Sequence, residues 1–91
     1  MNTESFDCRN VGKFDGMEKP GDFYFADRDG HEGIMIILPD EGWHHIPIQK
    51  GPAPDGKVWG WDGNTDKPTL TPSIRSSNWH GYLTNGRLVS C

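Results

Sequence analysis

The dipeptide Asn85-Gly86 constrains the fold of this chain more than any other feature of its sequence. It lies between two short runs in which apolar and polar residues alternate, 79–84 (WHGYLT) and 87–91 (RLVSC). A two-residue turn between antiparallel strands needs positive φ at both central positions, and Asn followed by Gly meets that need most readily. The sequence therefore predicts a C-terminal β-hairpin that turns at Asn85 and Gly86.

A two-residue turn also determines which residues of the two strands face each other. Counting outward from the turn gives the predicted pairs Thr84 with Arg87, Leu83 with Leu88, Tyr82 with Val89, Gly81 with Ser90 and His80 with Cys91. Directly opposed Cβ atoms lie about 4.5 to 5.5 Å apart. We therefore expect His80 and Cys91 to be neighbours on the face that also carries Tyr82 and Val89.

The rest of the chain is typical of short strands separated by turns. The runs 22–26 (DFYFA) and 32–38 (EGIMIIL) flank the turn signal DRDG and predict an early hairpin. The run 44–48 (HHIPI) predicts another strand, which Pro47 should hold at a sheet edge because proline donates no ladder hydrogen bond. The run 58–62 (VWGWD) predicts a further strand.

Length and composition limit the size of the core. A chain of 91 residues is one domain and buries only about 60 to 65% of the surface that its unfolded form exposes. Hydrophobic residues make up 33% of the sequence, and four Trp and four Phe among them indicate an aromatic core. We predict a single domain over residues 1–91 that is mainly β: a small antiparallel sheet or a partly open barrel, with room for one short helix.

Charge and hydropathy argue against two classes of partner. The formal charge of −4 disfavours nucleic acid, because binding to phosphates needs clustered Lys and Arg. No apolar run approaches the roughly 20 residues that span a bilayer, and the beginning MNTESFDCRN lacks the features of a signal peptide. The sequence predicts a cytoplasmic protein without nucleic-acid or membrane partners, in which Cys8 and Cys91 are free thiols.

Metal binding is not favoured by the spacing of the available ligands. Zinc takes four ligands in a tetrahedron, and no Cys-x-x-Cys or His-x-x-x-His spacing is present. His44 and His45 are adjacent and would point to opposite faces of a strand. We predict no metal and no other cofactor; if a zinc site existed, its ligands would come from His44, His80 and Cys91.

Three segments together resemble a known group of proteins. These are HHIPI, WGWDGNTDKPTLTPSI and HGYLTNGRL, in that order and with short spacers. The chain is similar through them to a group of small proteins of unknown function that tailed bacteriophages and prophages encode. The middle segment, which joins a tryptophan-rich strand to Lys-Pro-Thr and Pro-Ser-Ile, is the specific one. The resemblance covers about half the chain and implies a protein that acts in an infected bacterial cell.

This sequence departs from the group's pattern at its cysteines. Members often carry Cys-Pro-x-Cys before the first histidine segment, Cys directly before the hairpin histidine, and Asp-Cys-x-His after it. Here the first position holds LPDE (38–41) and the second holds Trp79, and the sequence ends before the third. The resemblance therefore implies a version that has lost a metal and keeps a scaffold with a recognition surface.

Aromatic residues at alternating positions indicate what that surface could bind. Trp59 and Trp61 share one face of a strand, and aromatic walls with a few polar tips suit a planar, nucleotide-like ligand. The predicted ligand-binding residues are Trp59, Trp61, Asp62, Asn64, Thr69, Ser73, Trp79, His80 and Tyr82. The alternative is that the tryptophans form the core and that Asp62 and Asn64 only form a turn.

The sequence argues against catalysis. Cys91 opposite His80 would supply a nucleophile and a base, but the carboxylate of Cys91 itself opposes formation of the thiolate. We predict no catalytic residue and a non-enzymatic phage accessory protein, which sequesters a nucleotide-like ligand or blocks a host protein as an anti-defence factor. The alternatives are a minor virion or assembly component and a small zinc-stabilised domain or enzyme. Exposed sheet edges also favour a homodimer.

Overall fold

The computed structural model describes residues 5–28, 30–39, 42–51, 58–71 and 73–90. Within these residues, regular structure is almost entirely β, so the predicted mainly β fold is confirmed. The strands are β1 (Ser5–Asp7), β2 (Arg9–Asn10), β3 (Asp22–Phe25), β4 (Gly33–Leu38), β5 (Gly42–Lys50), β6 (Trp59–Trp61), β7 (Leu70–Thr71), β8 (Ile74–Arg75), β9 (His80–Thr84) and β10 (Arg87–Ser90). A 3-10 turn covers Phe14–Gly16.

The strands form two sheets, where the sequence predicted a small antiparallel sheet or a partly open barrel. One sheet has the order β1-β10-β9-β8 and is antiparallel throughout. The other has the order β2-β3-β4-β5-β6-β7 and is mixed, because β2 pairs with β3 and β5 pairs with β6 in parallel. The chain passes from the first sheet to the second at Cys8, which lies between β1 and β2.

Both predicted hairpins are confirmed. Strands β3 and β4 pair antiparallel, and β9 and β10 pair in the predicted register from Thr84 opposite Arg87 to Gly81 opposite Ser90. Asn85 and Gly86 both have positive φ, 49° and 76°. The predicted contact between His80 and Cys91 falls outside the described residues because Cys91 does.

The prediction that Pro47 holds its strand at a sheet edge is wrong. Strand β5 is interior and lies between β4 and β6. Pro47 faces Gly33, and the next residue, Ile48, donates its N–H to Glu32 O at 3.0 Å. Since hydrogen-bonding residues alternate along an antiparallel pair, the Pro47 nitrogen points away from β4. Pairing with β6 begins only at Ile48, so the missing N–H leaves no broken bond.

The core lies between the two sheets and is mainly aliphatic. One cluster of buried side chains draws from both: Phe23, Ile34, Ile36, Leu38, Ile46, Ile48, Trp61, Leu70, Ile74, Trp79, Leu83 and Leu88. The expectation of an aromatic core is therefore only partly met. Alternate residues of β4 and β5 supply isoleucine and leucine, whereas Phe14, Trp43 and Tyr82 are about half exposed.

The buried carboxylate of Asp22 accepts hydrogen bonds that hold the N-terminal segment against the second sheet. Asp22 is fully buried and accepts hydrogen bonds from Arg9 Nη2 at 2.8 Å and Arg9 Nε at 3.3 Å. The backbone N–H groups of Glu18 and Lys19 also donate to it, at 3.0 and 3.2 Å. Burial by itself would raise the pKa of Asp22, but these donors outweigh burial and the pKa is lowered.

We expect Asp22→Asn to lower the free energy of unfolding by about 2 to 3 kcal/mol at pH 7, because a buried acceptor of several donors is weakened. The folded-state pKa of Asp22 is depressed, so its stabilisation is present above the ordinary carboxylate range and is lost as the pH falls through the folded-state value. The difference in the free energy of unfolding between the unmodified protein and Asp22→Asn should therefore shrink in acid. Urea unfolding at several pH values measures it.

The control is Asp27→Asn, because Asp27 is exposed and its change should alter stability by less than about 0.5 kcal/mol. If Asp22→Asn lowered the free energy of unfolding by the same amount at every pH, this would contradict the ionised, paired state of Asp22.

Candidate active site

Ser73 and His80 lie within hydrogen-bonding distance on the outer face of the first sheet. Ser73 directly precedes β8 and His80 begins β9. The His80 Nε2 atom lies 3.0 Å from Ser73 Oγ. Strands β8 and β9 are antiparallel, with Arg75 opposite His80, so the serine and the histidine meet diagonally across the pair.

A tight turn between β8 and β9 places His80. The Ser76 N–H donates to Trp79 O at 2.8 Å, and the Ser76 hydroxyl donates to the same oxygen at 3.1 Å. The Trp79 ring is buried, and its indole N–H donates to Ser90 Oγ at 2.9 Å. The residue before His80 is therefore fixed to the core and to β10, so the imidazole projects from an anchored backbone.

Gly81 lets the strands approach closely beside His80. A Cβ at this position would fall 2.5 Å from a carbon of the Trp79 ring and would also collide with Val89 O. Because real Cβ atoms do not approach other atoms so closely, any larger residue must displace the Trp79 ring or strand β10. Glycine at this position therefore maintains the placement of His80.

Ser73 is fixed by its own neighbours. Its carbonyl oxygen accepts a hydrogen bond from the Trp59 indole N–H at 3.2 Å, and the next side chain, Ile74, is buried in the core. Ser73 is half-buried and His80 is exposed, so the pair is open to solvent on one side. The exposed side chains of Arg75 and Tyr82 belong to the same outward face by strand alternation.

The pair has the geometry of an activated nucleophile. A serine hydroxyl is a weak nucleophile until a base accepts its proton, and a base within about 2.6 to 3.2 Å can do so. The 3.0 Å distance between His80 Nε2 and Ser73 Oγ makes these two described residues a Ser-His dyad.

The polar residues of the predicted ligand site mainly organise a loop. Asp62 Oδ1 accepts the N–H groups of Asn64 at 3.0 Å and Thr69 at 3.2 Å. Thr69 Oγ1 accepts the N–H of Asn85 at 2.8 Å. Trp61 is buried, and its indole N–H donates to Asn64 O at 3.1 Å. These contacts match the alternative of a core tryptophan and a turn, and ligand binding stays a prediction.

Of the three metal candidates, His44 and His80 lie within the described residues. Within that part of the chain, no group of three or more His, Cys, Asp or Glu side chains is arranged to hold an ion. The His45 ring lies over Gly33, with Nε2 3.0 Å from Ala26 O. Cys91 lies outside the described residues, so the predicted roles of His44, His80 and Cys91 are not tested.

Cys8 is a free thiol and is ill suited to nucleophilic chemistry. Burial raises its pKa to about 12. A thiol reacts as its thiolate, so Cys8 is inert near neutral pH. Among the described residues, Ser73 is therefore a stronger candidate nucleophile than this cysteine.

Comparison with known proteins places the chain in a family. The family model for BubE, described as the bacterial ubiquitination-like system serine protease, matches residues 10–91. The chain belongs to the BubE family. No curated protein and no solved structure matches the chain. Ser73 and His80 both lie within the matched segment.

Membership in the BubE family corrects the functional hypotheses drawn from the sequence. The prediction of a non-enzymatic phage accessory protein with an anti-defence role is wrong, because the family is described as a serine protease. The prediction that the chain is not an enzyme is wrong for the same reason. The resemblance to the phage-encoded group is not confirmed. Among the described residues, no helix is long and apolar enough to cross a membrane.

Sequence reasoning assigned Ser73 and His80 to one ligand site but missed their pairing. The predicted hairpin register places His80 beside Cys91, so Cys91 was the candidate nucleophile that the sequence placed near this histidine. Strand β8 has only two residues, and its turn to β9 contains no glycine, so neither gave a recognisable signal. The spacing of seven residues between Ser73 and His80 would have been informative only with that turn known.

We expect Gly81→Ala to lower the free energy of unfolding by about 1 to 3 kcal/mol, because an added methyl group must displace the Trp79 ring or β10. This displacement of the Trp79 ring or of β10 should also move the His80 ring, and the chemical shifts of the imidazole protons report such a movement. Gly30→Ala is the control, since a Cβ there meets no atom within 4 Å. It should leave the His80 resonances unchanged although its positive φ costs stability. Unchanged His80 resonances in Gly81→Ala would show that this glycine does not position the histidine.

Proposed function

We propose that this protein is a serine peptidase of a bacterial ubiquitination-like system, with Ser73 as the nucleophile and His80 as the general base. One observation carries the assignment: His80 Nε2 lies 3.0 Å from Ser73 Oγ on an open sheet face. Family membership supports the class of chemistry. The residue assignment comes from the geometry of this chain.

The proposed reaction proceeds by acyl transfer to Ser73. As Ser73 Oγ attacks the carbonyl carbon of the scissile amide, His80 Nε2 accepts the hydroxyl proton. His80 then returns that proton to the leaving amine as the C–N bond breaks, which leaves an ester on Ser73. A water molecule attacks the ester with His80 again as base, and release of the acid restores the hydroxyl.

The surrounding structure supports this role by holding both reacting groups in place. The Trp59 indole fixes the Ser73 carbonyl, while the buried Trp79 ring and Gly81 fix the backbone on either side of His80. Groups that are already positioned avoid the entropic cost of being brought together during the reaction. The imidazole accepts the hydroxyl proton at Nε2, the ring nitrogen that faces Ser73 Oγ.

The family's system suggests the class of substrate. Ubiquitination joins a small protein modifier to a target through an amide bond, and a serine peptidase cleaves amide bonds. The dyad lies on an exposed sheet face where the extended tail of a folded protein can reach it. We therefore expect a protein partner, and an amide bond at or near the end of that partner as the substrate.

We expect Ser73→Ala and His80→Ala each to lower kcat/KM by about a thousandfold or more, because each removes one half of the dyad. The assay is hydrolysis of a quenched fluorescent octapeptide library, with amine release measured for the best-cleaved member. Ser5→Ala and His31→Ala are matched controls, since both residues are exposed and lie outside the site.

Activity that persists in Ser73→Ala, or that falls equally in the controls, would overturn the assignment. A rise in KM with unchanged kcat in His80→Ala would give this residue a binding role instead of the role of base.

A further inference from the structure

Strand β8 is an open sheet edge directly beside the nucleophile. It is the last strand in the order β1-β10-β9-β8, and within the described residues it pairs with β9. Ser73 is the residue immediately before this strand. A chain segment that paired with β8 would therefore lie alongside Ser73.

The hydrogen-bonding pattern shows which backbone groups the edge presents. The bond from Ser76 N–H to Trp79 O marks these residues as a hydrogen-bonded pair. Such pairs alternate with non-hydrogen-bonded pairs along an antiparallel ladder, so Arg75 and His80, the next pair, are non-hydrogen-bonded. The N–H and C=O of Arg75 consequently point away from β9 toward the open edge.

The C-terminal hairpin gives the same result independently. Its two-residue turn makes Thr84 and Arg87 a hydrogen-bonded pair. By alternation, Tyr82 and His80 also direct their backbone groups toward β10, so the neighbouring residue Gly81 directs its groups toward β8. Ile74 faces Gly81. Ile74 is therefore the β8 residue whose backbone bonds to β9, in agreement with the pattern found from the β8–β9 turn.

The Trp59 indole occupies the outward-facing carbonyl group of Ser73, at the end of the edge that precedes β8. The Ser73 carbonyl, two residues before Arg75, points to the same edge and already accepts the Trp59 indole N–H at 3.2 Å. Arg75 is exposed and is the residue of β8 whose backbone faces outward. The edge therefore offers one donor and one acceptor, both next to the dyad.

We propose that β8 is the substrate-binding strand, on which an extended peptide pairs antiparallel through two hydrogen bonds with the Arg75 backbone. This inference rests on the proposed peptidase function. Antiparallel pairing lets one substrate residue exchange both bonds with Arg75. The substrate residue two positions further toward its C-terminus then lies opposite Ser73. The part of the substrate before the scissile bond lies along β8, and the leaving group extends toward Trp59.

The side chain of Arg75 adds a preference in the substrate. Opposed residues on paired strands project from the same face, so the side chain of the substrate residue that pairs with Arg75 lies beside the guanidinium. A carboxylate at that position is favoured and a cation is disfavoured. The substrate class is thus an extended peptide with an acidic residue two positions before the residue opposite Ser73.

Amide hydrogen exchange in the Ser73→Ala protein tests the pairing directly. The probe is the best-cleaved member of the octapeptide library, which this variant should bind without cleaving. We expect the Arg75 amide to exchange at least about tenfold more slowly with peptide bound, because its N–H becomes a ladder donor. The Asn10 amide is the control. It lies on the other sheet's edge strand β2, where Arg9 and Val11 donate inward to Gly21 O and Phe23 O, so its own N–H faces outward. Its exchange should not change.

Three variants at one position separate backbone from side chain. Arg75→Pro removes the outward N–H without removing a bond to β9, and should lower kcat/KM for the peptide about tenfold. Arg75→Ala keeps the N–H and should retain cleavage of peptides that lack the acidic residue. Arg75→Glu should reverse the preference between peptides with Asp and Lys at the paired position. The unmodified chain should also hydrolyse p-nitrophenyl acetate, an ester that has no peptide strand, through Ser73, and this reaction reports on the dyad alone.

The outcomes separate failure of this inference from failure of the proposed peptidase function. If the unmodified chain hydrolyses neither the ester nor any library member through Ser73, the peptidase function fails and the inference fails with it. If hydrolysis requires Ser73 but Arg75 gains no protection, or the three variants cleave the library alike, the substrate binds elsewhere and only the inference fails. Protection of Arg75 without peptide that is lost on dilution would assign the edge to a second copy of the chain and would also overturn it.

Discussion

The Asn85-Gly86 turn is the junction on which the rest of the structure depends. Its backbone is tied to both sheets and to the loop between β6 and β7. Gly86 O accepts the N–H of Cys8 at 2.9 Å, where the chain crosses from one sheet to the other, and Gly86 N–H donates to Pro68 O at 3.0 Å. A Cβ at Gly86 would come within 2.9 Å of the Lys67 backbone. Glycine is therefore required here both for its positive φ and for the close approach of the loop.

The register set by this turn determines the chemistry of the site. With the turn at Asn85 and Gly86, alternation along β9 sends Gly81 and Leu83 into the core and leaves His80 and Tyr82 outside. Gly81 then admits the Trp79 ring, and the turn anchored by that ring brings β8 back beside β9. A shift of one residue would reverse the faces, so His80 would point inward and could not meet Ser73.

The sequence predicted local pairing well and long-range pairing poorly. The hairpin at Asn85-Gly86 follows from the φ requirement of two residues, and its register follows by counting. The interior position of β5 depends on a parallel pairing with β6, which no local pattern encodes and which Pro47 seemed to forbid. The Ser73-His80 pair depends on the two-residue strand β8. The dyad was missed because Cys91 looked like the partner of His80, and the function followed a resemblance instead of the geometry of a nucleophile and its base.

The most direct test of the dyad is to identify the residue that a fluorophosphonate modifies. Such reagents form a stable adduct with a serine whose hydroxyl a base activates. Intact mass followed by peptide mapping should show one adduct, on Ser73, and none in His80→Ala. No adduct, or an adduct on another serine such as Ser76, would contradict the proposal that Ser73 and His80 form the catalytic pair.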